Sequence, residues 1–370
     1  MIPTNIFERL GLWAGKVPVP AIDAIFSIMK ARCIMAGVRL GIFEALRDGP
    51  LLAAEIAERC NLECECTEML LRTLAFVDYL EFDDGRYSLS KISEKTMVSG
   101  GEFELVGFLQ WNYTQWRMLE HLEELIQTGR GIDFHETMED ASEWAHYQRA
   151  MLELARFDAP VVAHRVPVRP GAKRLLDVAG SHGLIGAAIC RRHPPMRSEV
   201  VDLSDAIEHA RELAREQHID DIVSHRVGDV RTDDFGVEND VVLLANILHH
   251  FTPEMNLDIL NRAFRSMNED GTIAIWEVEA PDKSRNPNEG DGGALFFRLT
   301  SNAGCYNGSQ YEMWLKQAGF EQVEAQRPAI RIGSVLVIGR KRSQEPGARS
   351  QKSEVRSQKS EVRQWNYSSQ

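Results

Sequence analysis

The chain is expected to fold as an α/β protein with a mostly parallel sheet, preceded by a smaller and mainly helical module. Three observations carry that expectation. From Gly171 to about Arg340, short apolar runs alternate with helical patterns, the order that builds a parallel sheet covered on both faces. At the head of that region stands Arg174-Leu-Leu-Asp-Val-Ala-Gly-Ser-His-Gly-Leu-Ile-Gly186, an apolar run followed by small residues and a new helical pattern. The first hundred residues show instead three helical patterns and a hairpin signal.

The 370 residues are enough for two domains with their own cores, and the composition is that of an ordinary globular protein. A formal net charge of −13 disfavours a polyanionic partner, because nucleic-acid binding leans on phosphate neutralisation by Lys and Arg. Ile22 to Ala36 is moderately apolar, but Asp23, Lys30 and Arg32 interrupt it, so neither a membrane span nor a signal sequence is expected, and a cytoplasmic protein is. Cys60, Cys64 and Cys66 cluster without a second cluster to complete a tetrahedral metal site; no metal is expected and the thiols read as reduced.

Taken in order, the helical patterns run over Met29 to Leu46, Leu52 to Arg59 and Thr67 to Tyr79, with Gly49-Pro50 and the cysteine cluster as breaks. Two short strands then meet at Asp84-Gly85, a strong hairpin signal. Three helices and a hairpin make a winged helix. Its second and third helices carry Glu55, Glu58, Glu63, Glu65 and Glu68 against Arg59 and Arg72, the wrong sign for a DNA-reading face, so dimerisation is the favoured role. Residues 1–102 are assigned to this module and 103–166 to a helical linker.

The linker carries Phe103, Phe108, Trp111, Tyr113, Trp116, Phe134, Trp144, Tyr147 and Phe157. Most are expected to pack in the core, with the rest lining a pocket between the two domains. Residues 167–342 form the sheet domain, with strands expected at 174–178, 198–202, 222–227, 241–246 and 272–278 and an antiparallel pair near 322–326 and 332–339. Thr252-Pro253-Glu254 and Ser309-Gln-Tyr-Glu312 read as helix starts, the second as a capping box. The tail, 343–370, repeats Ser350-Gln-Lys-Ser-Glu-Val-Arg356 as Ser357 to Arg363; one valine per seven residues is too little to bury a face, and disorder is expected.

Function is read at the strand ends. A plain strand-to-helix turn also uses small residues, but glycine additionally brings bare backbone close to a ligand, and the helix start offers unpaired N–H groups. Val200-Val-Asp-Leu203 ends a second strand in Asp202, about 25 residues beyond Asp177, near the spacing at which an acid grips a ribose diol. Asp177, Asp202, Asp229, His249 and Glu277 all fall at or just after strand ends, where ligands bind in such sheets. A histidine in a tight loop is commonly structural. At a strand end, with an ordinary pKa of about 6.5 and Glu277 nearby to hold its ring, it also suits a general base.

These residues carry a resemblance. Asp177-Val-Ala-Gly-Ser-His-Gly183, Asp202-Leu-Ser204, Gly228-Asp-Val230, Ile247-Leu-His-His-Phe251 and Trp276-Glu-Val-Glu-Ala-Pro281 stand in the order and spacing of the S-adenosylmethionine-dependent small-molecule O-methyltransferases. The chain resembles the plant caffeate and flavonoid enzymes and their bacterial relatives, over roughly residues 20 to 340. The resemblance implies a Rossmann-like class I methyltransferase domain with a seven-stranded sheet behind a winged-helix dimerisation domain, hence a homodimer. It implies S-adenosylmethionine as cofactor, held by Asp177, Gly180, Gly183, Asp202, Leu203, Asp229, Val230 and Asn246, with Asp202 on the ribose hydroxyls and Asp229 on the adenine amine. His249 matches the family's base and Glu277 the acid that orients it, while Trp111, Tyr147, Met151, His250 and Asn302 fall to the substrate.

The chain departs from the family at several positions. Ala179 and Ser181 stand where glycine is usual, His250 where Asp follows the base, and Ala245-Asn246 where Lys-Trp precedes the base loop. The second glutamate flanking the base is absent; the candidate positions hold Cys305 or Asn307. The expected reaction moves the cofactor's methyl to a hydroxyl of a small aromatic or polyketide-like molecule, with His249 removing the hydroxyl proton. A member that binds the cofactor without methylating, or that methylates nitrogen or carbon, is the alternative; a ligand-responsive winged-helix regulator is the third.

Overall fold

The computed structural model describes residues 19–134, 138, 141–281, 284, 286–287, 289–301, 303–329 and 333–342. Asn302 and the repeat-bearing tail lie outside the described residues.

The N-terminal module begins with α1 (Val19–Arg39), whose last turns bury Cys33, Ile34, Met35 and Val38. The helix expected over Met29 to Leu46 is broken at Leu40-Gly41, where Gly41 at φ 75° turns the chain into the short α2 (Ile42–Ala45). Helices α3 (Ala53–Cys60) and α4 (Cys64–Phe76) follow. The cysteine cluster is therefore only partly a break: Cys60 closes α3, and Cys64 and Cys66 lie in the first turn of α4. Glu63 caps that turn, its carboxylate accepting from the N–H groups of Glu65 and Cys66. Strands β1 (Leu80–Asp83) and β2 (Arg86–Leu89) pair antiparallel across Asp84 (φ 45°) and Gly85 (φ 75°), the two left-handed residues that a two-residue hairpin of the I′ type requires. Ile42, Phe43, Ile56, Leu71, Leu74, Leu80 and Tyr87 close one core beneath this winged helix.

Helix α5 (Lys91–Thr96) leads to α6 (Val106–Met118) and α7 (Leu122–Thr128), and α8 (Ala141–Arg165) then crosses to the sheet. Glu153, in the middle of α8 and 0% exposed, accepts from the N–H groups of Gly107 and Phe108 at 2.9 and 2.8 Å. Burial raises its pKa to about 7 against the opposing pull of those N–H groups. A buried acid at the start of α6 thus fastens α6 to α8.

The second unit is a seven-stranded sheet of order β5-β4-β3-β6-β7-β9-β8. It comprises β3 (Arg174–Val178), β4 (Arg197–Asp202), β5 (Val223–Val227), β6 (Asn239–Ala245), β7 (Met267–Val278), β8 (Glu321–Gln326) and β9 (Ser334–Arg340). Only β9 runs against the others, paired antiparallel to both β7 and β8. The period-2 pattern of the strands sorts side chains to two faces. Leu176, Val178, Val242, Leu244, Ile273 and Ile275 pack under α11 (Pro253–Ser266) and α13 (Gly308–Ala318). Leu175, Val241, Leu243, Ala274 and Trp276 pack under α8 and α9 (Leu184–Arg192). Among the described residues the remaining α-helices are α10 (Ser204–Glu216) and α12 (Glu289–Thr300).

Thr252 caps α11 with Pro253 in its first turn, as expected, but α13 starts one residue before Ser309. Its cap is Asn307, which exchanges hydrogen bonds with Gln310 at 2.9 and 3.0 Å. Glu312 instead accepts from the Ala325 N–H of β8. Both Asn-x-x-Gln and Ser-x-x-Glu fit the capping pattern, and the paired strand decides between them. No helix among the described residues is long and apolar enough to cross a membrane.

Candidate active site

Strand order reverses direction between β3 and β6, so a crevice opens beyond their carboxyl ends. The turn after β3 has three left-handed residues, Ala179 (φ 53°), Ser181 (φ 51°) and Gly183 (φ 76°). Two of them are not glycine, which makes the turn strained. Its glycines are imposed by packing as much as by any ligand. A Cβ on Gly180 would lie 2.5 Å from Asp177 Oδ1, and one on Gly183 would lie 2.7 Å from the Val223 side chain. Gly180 lines the cavity described below, whereas Gly183 faces the valines of β4 and β5. The absence of a Cβ at Gly183 is thus required by this packing, and the residue is not part of the cavity lining.

Asp177 is 1% exposed, and its carboxyl is pushed up to about 7, first by burial and then by the charge of Asp202, against one N–H from Gly186. Its Oδ1 has no hydrogen-bond partner. Asp202 is built differently: Oδ2 accepts from Ser181 N at 2.9 Å and Oδ1 from Leu203 N at 2.8 Å. Two backbone N–H groups thus fix the orientation of this carboxylate in the lining of the cavity described below. His182 is buried beside them and pushed down to about 4 by that burial, hence neutral. Its Nδ1 accepts from Leu184 N and a further bond joins it to the backbone of Met151, tying the turn to α8.

On the other side of the crevice, β6 ends in Ala245 and Asn246 takes a left-handed φ of 54°, its N–H bonded to the Trp276 carbonyl at 2.8 Å. A 3-10 turn follows, Leu248–His250. Glu277, 0% exposed near the end of β7, holds that turn twice: Oε1 accepts from Leu248 N at 2.6 Å and Oε2 lies 2.7 Å from His249 Nδ1. With Nδ1–H donated to a carboxylate, the lone pair of the neutral ring sits on Nε2. The His249 carbonyl accepts from Ser301 Oγ and Gly304 N, and Asn256 Nδ2 donates to the Leu248 and Phe251 carbonyls. Every handle of this turn is fixed.

A cavity of about 400 Å³ runs between the two strand ends. Asp177, Gly180, Ser181, Asp202 and Leu203 line one side, Asn246, His249 and His250 the other, and Trp111, Phe134, Tyr147, Met151, Phe296 and Phe297 close the apolar part. The rings contact one another, Phe134 and Tyr147 edge to face at 5.2 Å between centroids, and Trp111 and Tyr147 at 5.2 Å, Phe134 and His250 at 5.6 Å and His249 and Phe297 at 4.5 Å in tilted pairs. Burial, with the charge of Asp202 adding to it, raises the Tyr147 phenol, which therefore stays a donor. More of the linker aromatics line the cavity than expected, because Phe108, Trp111, Phe134, Trp144 and Tyr147 all face it. Tyr113 instead lies under Arg32 and Arg39, and Phe103 stacks on Phe157.

Besides Gly183, two expected cofactor residues stand outside this lining. Val230 is 8% exposed and packs in the sheet core. Asp229 is engaged by Arg231, whose Nε and Nη2 meet the carboxylate at 2.7 to 3.0 Å and hold its pKa below the ordinary range. Sequence reasoning missed Gln148, His182 and Asn256. Asn256 alone left a trace, as a polar residue on the same helical stripe as Ile259, Leu260 and Ala263.

The fit to S-adenosylmethionine rests on these groups: a carboxylate at Asp202 in the cavity lining, a buried oxygen on Asp177 without a hydrogen-bond partner, and a turn with Gly180 facing the cavity. Residues 22–99 match the O-methyltransferase dimerisation domain and residues 111–321 the O-methyltransferase domain. The chain is 26% identical over 330 residues to the 3-hydroxy-5-methyl-1-naphthoate 3-O-methyltransferase of Streptomyces sahachiroi, covering 88% of this chain and 95% of that protein. It is 24% identical over 329 residues to the N,N-dimethyltransferase OxyT of Streptomyces rimosus, covering 84% and 93%. Among solved structures, human N-acetylserotonin methyltransferase in complex with SAM superposes with a TM-score of 0.76 at 18% identity, over 93% of this chain and 100% of that one.

Proposed function

The chain belongs to the S-adenosylmethionine-dependent small-molecule O-methyltransferases with an N-terminal dimerisation domain, and on that premise we propose that it methylates a hydroxyl of an aromatic, polyketide-like acceptor with His249 as the base. The observation that carries the reading is the buried His249–Glu277 pair in the same cavity as Asp202 and the glycine turn.

When bound, S-adenosylmethionine supplies an electrophilic methyl carbon on a sulfonium. Asp202 would accept from the ribose hydroxyls, Gly180, Leu203 and Asn246 would bound the nucleoside, and Asp177 would face the cationic amino-acid end. Asp229 would reach the adenine amine once it shares its carboxylate with Arg231. The acceptor ring would lie among Trp111, Tyr147, Met151, Phe297 and His250.

A phenol with a pKa of about 10 is mostly protonated at neutral pH, so its nucleophilicity depends on a base in hydrogen-bond reach. His249 Nε2 takes that proton. Glu277 keeps the other ring nitrogen protonated and stabilises the imidazolium that forms. The aromatic wall orients the acceptor and excludes water. The dimer would form through residues 1–102, where α1 leaves Ile25, Phe26, Ile28 and Met29 exposed, with 103–166 linking to a catalytic domain of 167–342 in a cytoplasmic enzyme.

The test is His249→Ala. Turnover should fall about a hundredfold or more, the usual scale for losing a general base, while S-adenosylhomocysteine still binds. Unchanged turnover would remove the base role. An amine acceptor is the second reading, favoured by the likeness to an N,N-dimethyltransferase; the position of the label after transfer of a labelled methyl decides between them.

A further inference from the structure

We propose that Gln148 is a cofactor-binding residue whose Nε2 donates to the carboxylate of the amino-acid end of S-adenosylmethionine, while its Oε1 holds the glycine turn through Ser181. The proposal rests on the methyltransferase reading and deepens it.

Gln148 sits on α8, 2% exposed, and its side chain lines the cavity. Its Oε1 accepts from Ser181 Oγ. Ser181 is one of the two residues other than glycine forced to a left-handed φ in the turn, and this bond, with Ser181 N on Asp202 and His225 Nε2 on the Ser181 carbonyl, holds it there. The opposite end of the amide, Nε2, has no hydrogen-bond partner among the described residues. The side chain lines the cavity, and with Oε1 held by Ser181 the amide presents Nε2 as a donor to an acceptor that a ligand brings there.

The chemistry of the cofactor narrows which acceptor. It carries one anionic group, the carboxylate. Asp202, on the same side of the cavity, repels it, as does Asp177 when ionised, and the described cavity lining contains neither lysine nor arginine to offset them. Neutral donors must do so. Gln148 is bonded to the turn that opens α9, a nine-residue helix whose amino end attracts negative charge. Helix end and amide therefore face the same group.

The experiment is calorimetric titration of the full chain, its Gln148→Ala and its Gln148→Asn forms with two ligands, S-adenosylhomocysteine and 5′-methylthioadenosine. The second keeps the nucleoside and sulfur but has no amino acid. Gln148→Ala should weaken S-adenosylhomocysteine by about 10- to 100-fold, the scale of one hydrogen bond to a charged group, and leave 5′-methylthioadenosine within about twofold. Gln148→Asn, one methylene short, should show the same selective loss, which keeps the test alive if the alanine form unfolds. Equal losses for both ligands would reduce Gln148 to a support of the turn and overturn the proposal. So would full retention of S-adenosylhomocysteine with a change confined to the KM of the acceptor. If the unaltered chain binds neither ligand, the methyltransferase reading itself fails.

Discussion

Asp177→Asn should stabilise the ligand-free protein at neutral and alkaline pH and damage cofactor binding. Asp177 is buried under Gly180 and Gly186 with Oδ1 unpaired, and its carboxyl is raised from the ordinary 3.8 to about 7. Because the folded chain favours the neutral acid, the stability this group contributes is fully present below pH 4 and is lost as pH rises through 7. The whole gap corresponds to on the order of 4 kcal/mol. An asparagine has nearly the same shape and never ionises. The stability of Asp177→Asn relative to the parent should therefore rise with pH, by roughly 3 kcal/mol between pH 5 and pH 8. Urea unfolding followed by tryptophan fluorescence at several pH values, without ligand, reads this directly. A difference that stays flat with pH, or a parent more stable than the variant at pH 8, would refute the account of Asp177 as a charge held against burial for a cationic ligand. Saturating S-adenosylmethionine should shift the comparison back towards the parent, the usual exchange of stability for function at a site.

Glu277→Gln should cost more than the loss of one hydrogen bond. The amide would accept from Leu248 N with its oxygen and turn a donor towards His249 Nδ1, moving the ring proton to Nε2, so turnover should fall about 100- to 10000-fold while S-adenosylhomocysteine binding is retained; equal turnover would show that the tautomer is immaterial. Ala179→Gly relieves a left-handed alanine at a strain of about 1–2 kcal/mol but adds glycine's entropy cost of about 0.5–1 kcal/mol, so thermal unfolding should show no loss and a gain of up to about 1 kcal/mol. A clear loss would mean that the Ala179 methyl packs productively in the cavity.

The strand ends were legible because each depends on local pattern: an apolar run closing in Asp177, Asp202, Ala245 or Val278, followed by a turn residue or helix cap. The hairpin at Asp84-Gly85 was legible for the same reason, since only residues tolerant of positive φ fit it. What the sequence hid is what the chain makes across distance. Gln148 meets Ser181 across 33 positions and His249 meets Glu277 across 28. The second pair could be anticipated because both ends stand at strand tips. The first could not, because an ordinary glutamine on an aromatic helix carries no signal. Gly183 shows a second signal hidden by distance: the valines of the neighbouring strands occupy the space its Cβ would need, a packing demand for glycine that the local turn pattern does not display. Among the linker rings, cavity and core share the same side chains, which a pattern of helical spacing cannot separate: Trp111 is 6% exposed yet bounds the open volume.

The measurement that bears most directly on the central claim is calorimetric titration of S-adenosylhomocysteine into the full chain and into Asp202→Ala. Affinity on the order of micromolar is expected for the full chain and a loss of about a hundredfold or more in the variant, since the carboxylate pins Ser181 and Leu203 and, in the proposed site, would accept from the ribose hydroxyls. Absence of binding by the full chain, or equal binding by the two, would contradict it.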